Sequence, residues 1–120
     1  MRTPLIAGNW KLHKTVAEAE EFVAGLLPRV SSTDGVDVAL CVPFTALSAV
    51  VDSTRGSRVE VYAQNMHEAA SGAFTGEVSA AMLTELDVHG TLLGHSERRQ
   101  YFGETDRALA LKVVAALDAG

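Results

Sequence analysis

Four short apolar runs, each followed by an amphipathic stretch, recur along the chain at intervals of about 30 residues, the usual size of a strand-plus-helix unit. The runs are Leu5-Ile6-Ala7-Gly8, Val36 to Val42, Val59 to Ala63, and Thr91-Leu92-Leu93. Val36 to Val42 is apolar apart from Asp37, as expected of a strand covered on both faces, and Pro43 stops it. In the third run Val59, Val61 and Ala63 alternate with Glu60, Tyr62 and Gln64. Strand and helix signals that alternate in this way predict parallel strands joined by helical crossovers rather than hairpins.

Between the runs lie helix signals. Thr15-Val16-Ala17-Glu18 has the form of a capping box, in which hydroxyl and carboxylate satisfy each other's free backbone donors. Val16, Ala19, Val23, Leu26, Leu27 and Val30 then share one face, while Glu18, Glu20 and Glu21 look outward. A second helix is predicted through Leu47, Val50 and Val51, stopped by Asp52-Ser53-Thr54-Arg55-Gly56. Ser79 caps a third through Met82, Leu83 and Leu86, which His89-Gly90 ends. Thr105 caps a last one carrying Leu109, Val113, Ala116 and Leu117. The Asn65 to Glu77 segment is longer than a plain strand-to-helix connection needs, which suits a binding or interface loop.

With 48% hydrophobic residues in 120, the chain can bury a sizeable core. Its net charge of -5 and lack of a dense Lys/Arg run argue against a nucleic-acid partner. No segment approaches the roughly 20 apolar residues of a membrane helix, and Met1-Arg2-Thr3-Pro4 lacks the apolar core of a signal peptide. A cytoplasmic protein without a membrane partner is therefore expected. Cys41, the only cysteine, sits between Leu40 and Val42 and reads as a small buried hydrophobe. No linker or second domain is visible.

In parallel α/β architectures ligands bind beyond the carboxyl ends of the strands, where loops and helix N-termini present backbone donors and partial positive charge. The strand ends here lead into Gly8-Asn9-Trp10-Lys11, Pro43-Phe44-Thr45, Gln64-Asn65-Met66-His67 and Gly94-His95-Ser96-Glu97. Lys11 could reach back over a strand end as a fixed cation for an anionic substrate, or be a solvated surface lysine. Asn9 offers an amide donor and is equally ordinary turn chemistry. His95 precedes Ser96-Glu97-Arg98, which could begin a helical turn; an imidazolium is disfavoured there, leaving a neutral donor or proton shuttle. Its plainer reading is a histidine hydrogen-bonded in a loop. Glu97 either orients a neighbour or serves only as a helix N-terminal charge. Arg98 and Arg99 read as salt-bridge partners for Glu104 and other rim carboxylates. His13, His67 and His89 have no metal-ligand spacing with one another or with Cys41.

Gly8-Asn9-Trp10-Lys11, Cys41-Val42-Pro43-Phe44-Thr45, Ala63-Gln64-Asn65-Met66-His67, Gly72-Ala73-Phe74-Thr75-Gly76-Glu77 and Leu93-Gly94-His95-Ser96-Glu97-Arg98-Arg99 follow one another in order. Together they resemble the successive signatures of the triosephosphate isomerase family, essentially from Arg2 to Gly120. Leu12 and Ala80 stand where the family often has methionine and proline. The resemblance implies an α/β fold: a parallel (βα)4 half of a TIM (β/α)8 barrel, with residues 1–120 as a single domain. It also implies interconversion of dihydroxyacetone phosphate and glyceraldehyde 3-phosphate, in glycolysis and gluconeogenesis, without cofactor or metal. Lys11 would be the cation that holds substrate and stabilises the enediolate, and Asn9 would line the same site. His95 would be the electrophile, this family being the standard example of a neutral histidine polarising a carbonyl. Glu97 matches the active-site glutamate beside Lys11, and Thr75 the tip of an interface loop that reaches a neighbouring subunit's site. Glu104 and Arg98 resemble a structural pair.

Such a barrel needs eight strands in about 250 residues, whereas four are legible here. The family's glutamate general base, closing lid and later Gly-rich phosphate loops have no counterpart, so the isolated chain is expected to be nearly or wholly inactive. Strands one and four would be open edges that invite pairing. The expected partners are a small phosphorylated triose and either a second copy, as a homodimer, or a complementary C-terminal half-barrel fragment. An alternative is a non-catalytic half-barrel assembly module that self-associates or complements a second fragment. An open nucleotide-binding domain would need a Gly-rich loop after strand one, where this chain offers one glycine and the bulky Trp10.

Overall fold

Thr15 starts the first helix in the manner its sequence requires. Its hydroxyl accepts from the Glu18 N–H at 3.3 Å, and the Glu18 carboxylate accepts from the Thr15 N–H at 3.2 Å, closing the capping box. In the computed structural model, which describes residues 1–120, that helix is α1 (Val16–Val30). The order is β1 (Leu5–Asn9), α1, β2 (Asp37–Val42), a 3-10 turn (Phe44–Ala46), α2 (Leu47–Thr54), β3 (Val59–Ala63), α3 (Ala80–Glu85), β4 (Gly90–Thr91), α4 (Ser96–Phe102) and α5 (Asp106–Ala119).

The strands are all parallel and lie in the order β1-β2-β3-β4. Each strand is added on the same side of the last, and right-handed crossovers then put the connecting helices α1, α2 and α3 on one face of the sheet. A doubly wound nucleotide-binding sheet instead reverses direction at a switch point. The uniform order is the winding of a barrel, and it sets the open nucleotide-binding alternative aside. Val38, Leu40 and Val42 of β2 and Val59, Val61 and Ala63 of β3 form the sheet side of the core, against Ala19, Val23, Val50, Val51 and Leu83 of the helices. Across the opposite face Asn9, Cys41, Tyr62 and Gly90 fall in one row of the register. Cys41 is buried there, as its neighbours predicted. Glycine at 90 lets the Tyr62 ring cross β4, since a Cβ would stand 2.8 Å from Tyr62 Cε2.

Several boundaries differ from the sequence expectation. α2 runs on through Thr54, because that buried hydroxyl donates back to Val50 O at 2.8 Å and so needs no water. α3 stops at Glu85, and Asp87 reverses the chain in the left-handed region at φ 62°; Gly90 opens β4 rather than closing the helix. β4 is only Gly90–Thr91, although Leu92 still donates to Ala63 O at 2.8 Å. The fourth unit also carries two helices, α4 and α5, where one was expected. On α5 the inward positions are Leu109 and Lys112, with Ala115 and Ala116 packed on the core, while Val113 and Leu117 are 44% and 75% exposed. Val16 stays exposed as well. No helix is long and apolar enough to cross a membrane.

Candidate active site

Beyond β1, Trp10 turns down into the core and meets Phe22 edge-to-face, its N–H extending the ladder to Cys41 O at 2.9 Å. With Trp10 anchored, Lys11 must turn sharply, and it does so at φ 53°, a left-handed conformation that costs a non-glycine residue about 1–3 kcal/mol. Two neutral amides hold it there. Asn9 Oδ1 accepts the Lys11 N–H at 3.0 Å, and Gln64 Nε2 reaches from the end of β3 to Lys11 O at 3.0 Å and Cys41 O at 3.1 Å. The sequence placed Gln64 at a strand end but gave it no role of its own, because its partners lie on β2 and just beyond β1.

So held, Lys11 extends its ammonium across the strand ends to Glu97 Oε1 at 2.6 Å. Hydrogen bonding from Lys11 keeps the Glu97 carboxyl below the ordinary carboxylate range, and this together with the charge of Lys11 outweighs the opposing desolvation. Both side chains are about half exposed, so the pair orients charge more than it stabilises the fold.

His95 follows Gly94, whose φ of 69° brings the chain out of β4 toward α4. His95 itself caps α4: its Nδ1 accepts the Glu97 N–H at 3.1 Å. A neutral imidazole that accepts at Nδ1 carries its proton at Nε2, so the ring is a donor through Nε2. This settles the helical turn left open at Ser96-Glu97-Arg98, and it places a helix where the run Ser96–Phe102 shows no apolar period. Glu97 Oε2 lies 3.7 Å from His95 Nδ1, too far for a hydrogen bond.

Asn9, Lys11, Gln64, Asn65, His95 and Glu97 all line one cleft of about 660 Å³, which Leu12, Phe44, Tyr101 and Phe102 wall on its apolar side. Thr75 does not join them; it sits exposed on the loop beyond β3, where Phe74 stacks on His67 with ring centroids 4.2 Å apart. Arg98 Nε donates to Glu104 Oε2 at 3.0 Å and Arg99 pairs with Asp106 at 2.7 Å. No three His, Cys, Asp or Glu side chains lie close enough to hold a metal ion. What the cleft offers is a fixed ammonium, an imidazole N–H and amide donors. That is a set able to hold an anion and stabilise negative charge developing on oxygen.

Known proteins share this sequence and fold. A family model described as triosephosphate isomerase matches residues 4–120. The triosephosphate isomerase of Synechocystis sp. is 55% identical over 121 residues, covering 100% of this chain and 50% of that protein. The one from Symbiobacterium thermophilum is 53% identical, covering 100% of this chain and 47% of that protein. The crystal structure of triosephosphate isomerase from Bartonella henselae superposes with a TM-score of 0.92 at 36% identity, over 99% of this chain and 49% of that one. The chain thus spans about half the length of the curated relatives it matches. By sequence, winding order and the parallel half of a TIM barrel that it forms, the chain belongs to the triosephosphate isomerase family.

Proposed function

We propose that this chain supplies the electrophilic half of an active site that interconverts dihydroxyacetone phosphate and glyceraldehyde 3-phosphate. The observation that carries the reading is that Lys11 and His95 line one cleft, with His95 Nδ1 tied back to the Glu97 N–H so that Nε2 is left to donate. The substrate carbonyl oxygen accepts from His95, and Lys11 supplies the compensating charge as a carbon proton leaves and the enediolate forms. Asn9 lines the same site and, through Lys11 N–H, fixes the cation. Glu97 holds the ammonium in position between turnovers. The reaction asks for no metal or cofactor, since both electrophiles are side chains of this chain.

The base that takes the carbon proton comes from other polypeptide. A carboxylate kept ionised by an ammonium is a weak base, and that describes Glu97. Glu104 is buried between two cations, and Glu77 stands exposed outside the cleft. The 120-residue chain alone is therefore inactive or nearly so. Joining it to the second half of the Synechocystis relative tests this. The joined protein isomerises dihydroxyacetone phosphate, and the chain by itself exchanges solvent deuterium into that substrate no faster than buffer. A joined protein that folds but stays inert refutes the isomerase reading, and brisk turnover by the chain alone refutes the missing base.

A second reading, an assembly module, is favoured by the exposed apolar side chains Tyr101, Phe102, Val114 and Leu117 of α4 and α5. Further barrel or a second copy covers them, and the exposed Thr75 loop reaches toward a neighbouring subunit. Sedimentation at micromolar concentration decides between a self-associating chain and a monomer that waits for its complement.

A further inference from the structure

Lys112 has no part in the chemistry above, yet only 7% of its side chain is exposed, on the inner face of α5. A buried ammonium is strongly unfavourable unless it is paired and fully hydrogen-bonded. Its partners are Glu104 Oε2 at 2.6 Å and Asn65 Oδ1 at 2.8 Å, and these lead to opposite walls of the cleft. Glu104 Oε2 also accepts from Arg98 Nε, and the Arg98 N–H donates to His95 O at 2.8 Å, so this arm holds the first turn of α4. Asn65 directly follows Gln64, whose amide grips the Lys11 turn. Arg98 and Asn65 themselves line the cleft.

We propose that Lys112 is a positioning residue: one ammonium, shared by Glu104 and Asn65, ties α4 to the end of β3 and thereby sets the spacing between His95 and Lys11. Burial alone would raise the Glu104 pKa, but the hydrogen bonds and charges of Lys112 and Arg98 more than cancel this and keep the carboxylate ionised. Glu104 Oε1, buried and without a protein partner, leaves the whole load on Oε2, so loss of either cation releases the arm. The activity part of the test rests on the isomerase reading; the spectroscopic part does not.

Lys112→Met keeps the stem and removes the charge. In the chain itself, the nitrogen resonances of the His95 ring and the Glu97 amide shift or broaden, while amides of α1 stay in place. In the joined barrel, kcat falls about tenfold and KM changes less than about threefold, the pattern of a misplaced transition-state contact. Lys112→Met with Glu104→Gln removes the buried carboxylate that Arg98 alone would have to neutralise, so it regains stability but not kcat. If the single variant fails to fold, the double is read in its place. A variant with lowered Tm but wild-type His95 resonances and wild-type kcat per folded molecule overturns the proposal, and Lys112 is then only a packing residue. A joined barrel that is inert with Lys112 intact refutes the isomerase reading instead, and the resonances still decide the positioning.

Discussion

On the Lys11 wall of the cleft the backbone is strained and its restraints are neutral amides, whereas on the His95 wall the backbone is relaxed and its restraints are ions. Lys11 at φ 53° is fixed by Asn9 and Gln64. His95, in an extended N-cap conformation, leads into a helix fastened by Arg98, Glu104 and Lys112. Amide bonds do not titrate, and a carboxylate between cations does. The two walls should therefore fail under different stresses although they serve one reaction.

The largest expected effect breaks the neutral wall. Gln64→Leu releases Lys11 O and lowers kcat of the joined barrel by about a hundredfold, as a displacement near 1 Å does, while the His95 resonances stay put; movement of both walls would show that they are not independent. Gly94→Ala strains the other wall. It puts a side chain at φ 69° with a Cβ 2.9 Å from Leu109 Cδ1, and denaturant unfolding should report a loss of about 1–3 kcal/mol.

Acid separates the walls more finely. The Glu104 carboxyl lies below its ordinary 4.5, so its contribution is fully present above that pH and is lost as pH falls through the lower folded value. Glu104→Gln makes this acid limb of the stability curve shallower, Glu18 and Glu97 still contributing to it, and Gln64→Leu leaves it intact. An unchanged limb in Glu104→Gln would remove the ionic half of the contrast. The smallest effect comes from the solvent-side bridge between the walls: Glu97→Gln leaves Tm within error, because both partners are about half exposed.

β2 was legible because its apolar run Val38 to Val42 is buried on both faces and is too short for a helix, while β1 was legible from composition alone, Leu5 and Ile6 standing exposed. Helix starts at Thr15, Ser79 and Thr105 were legible because a capping hydroxyl acts within three residues of itself. What stayed hidden depends on partners distant in sequence. α4 has no apolar period, its aromatic residues Tyr101 and Phe102 falling together at its end, and it forms because His95 caps it and Arg98 finds Glu104. Lys112 reads as a surface lysine until Asn65, 47 residues earlier, is placed beside it. For the same reason Gln64 could not be singled out before β1 and β3 were brought together around Cys41 O. Among the candidates, His95, Lys11, Glu97 and Asn9 are gathered in the cleft, and Thr75 lies apart from it.

Position 11 sets a conflict for anyone who engineers this scaffold. Its backbone would be most comfortable as glycine, and its chemistry requires a long cationic side chain. A library screened for heat resistance alone will drift toward glycine or asparagine there and discard the reaction, so that codon has to be frozen before selection begins.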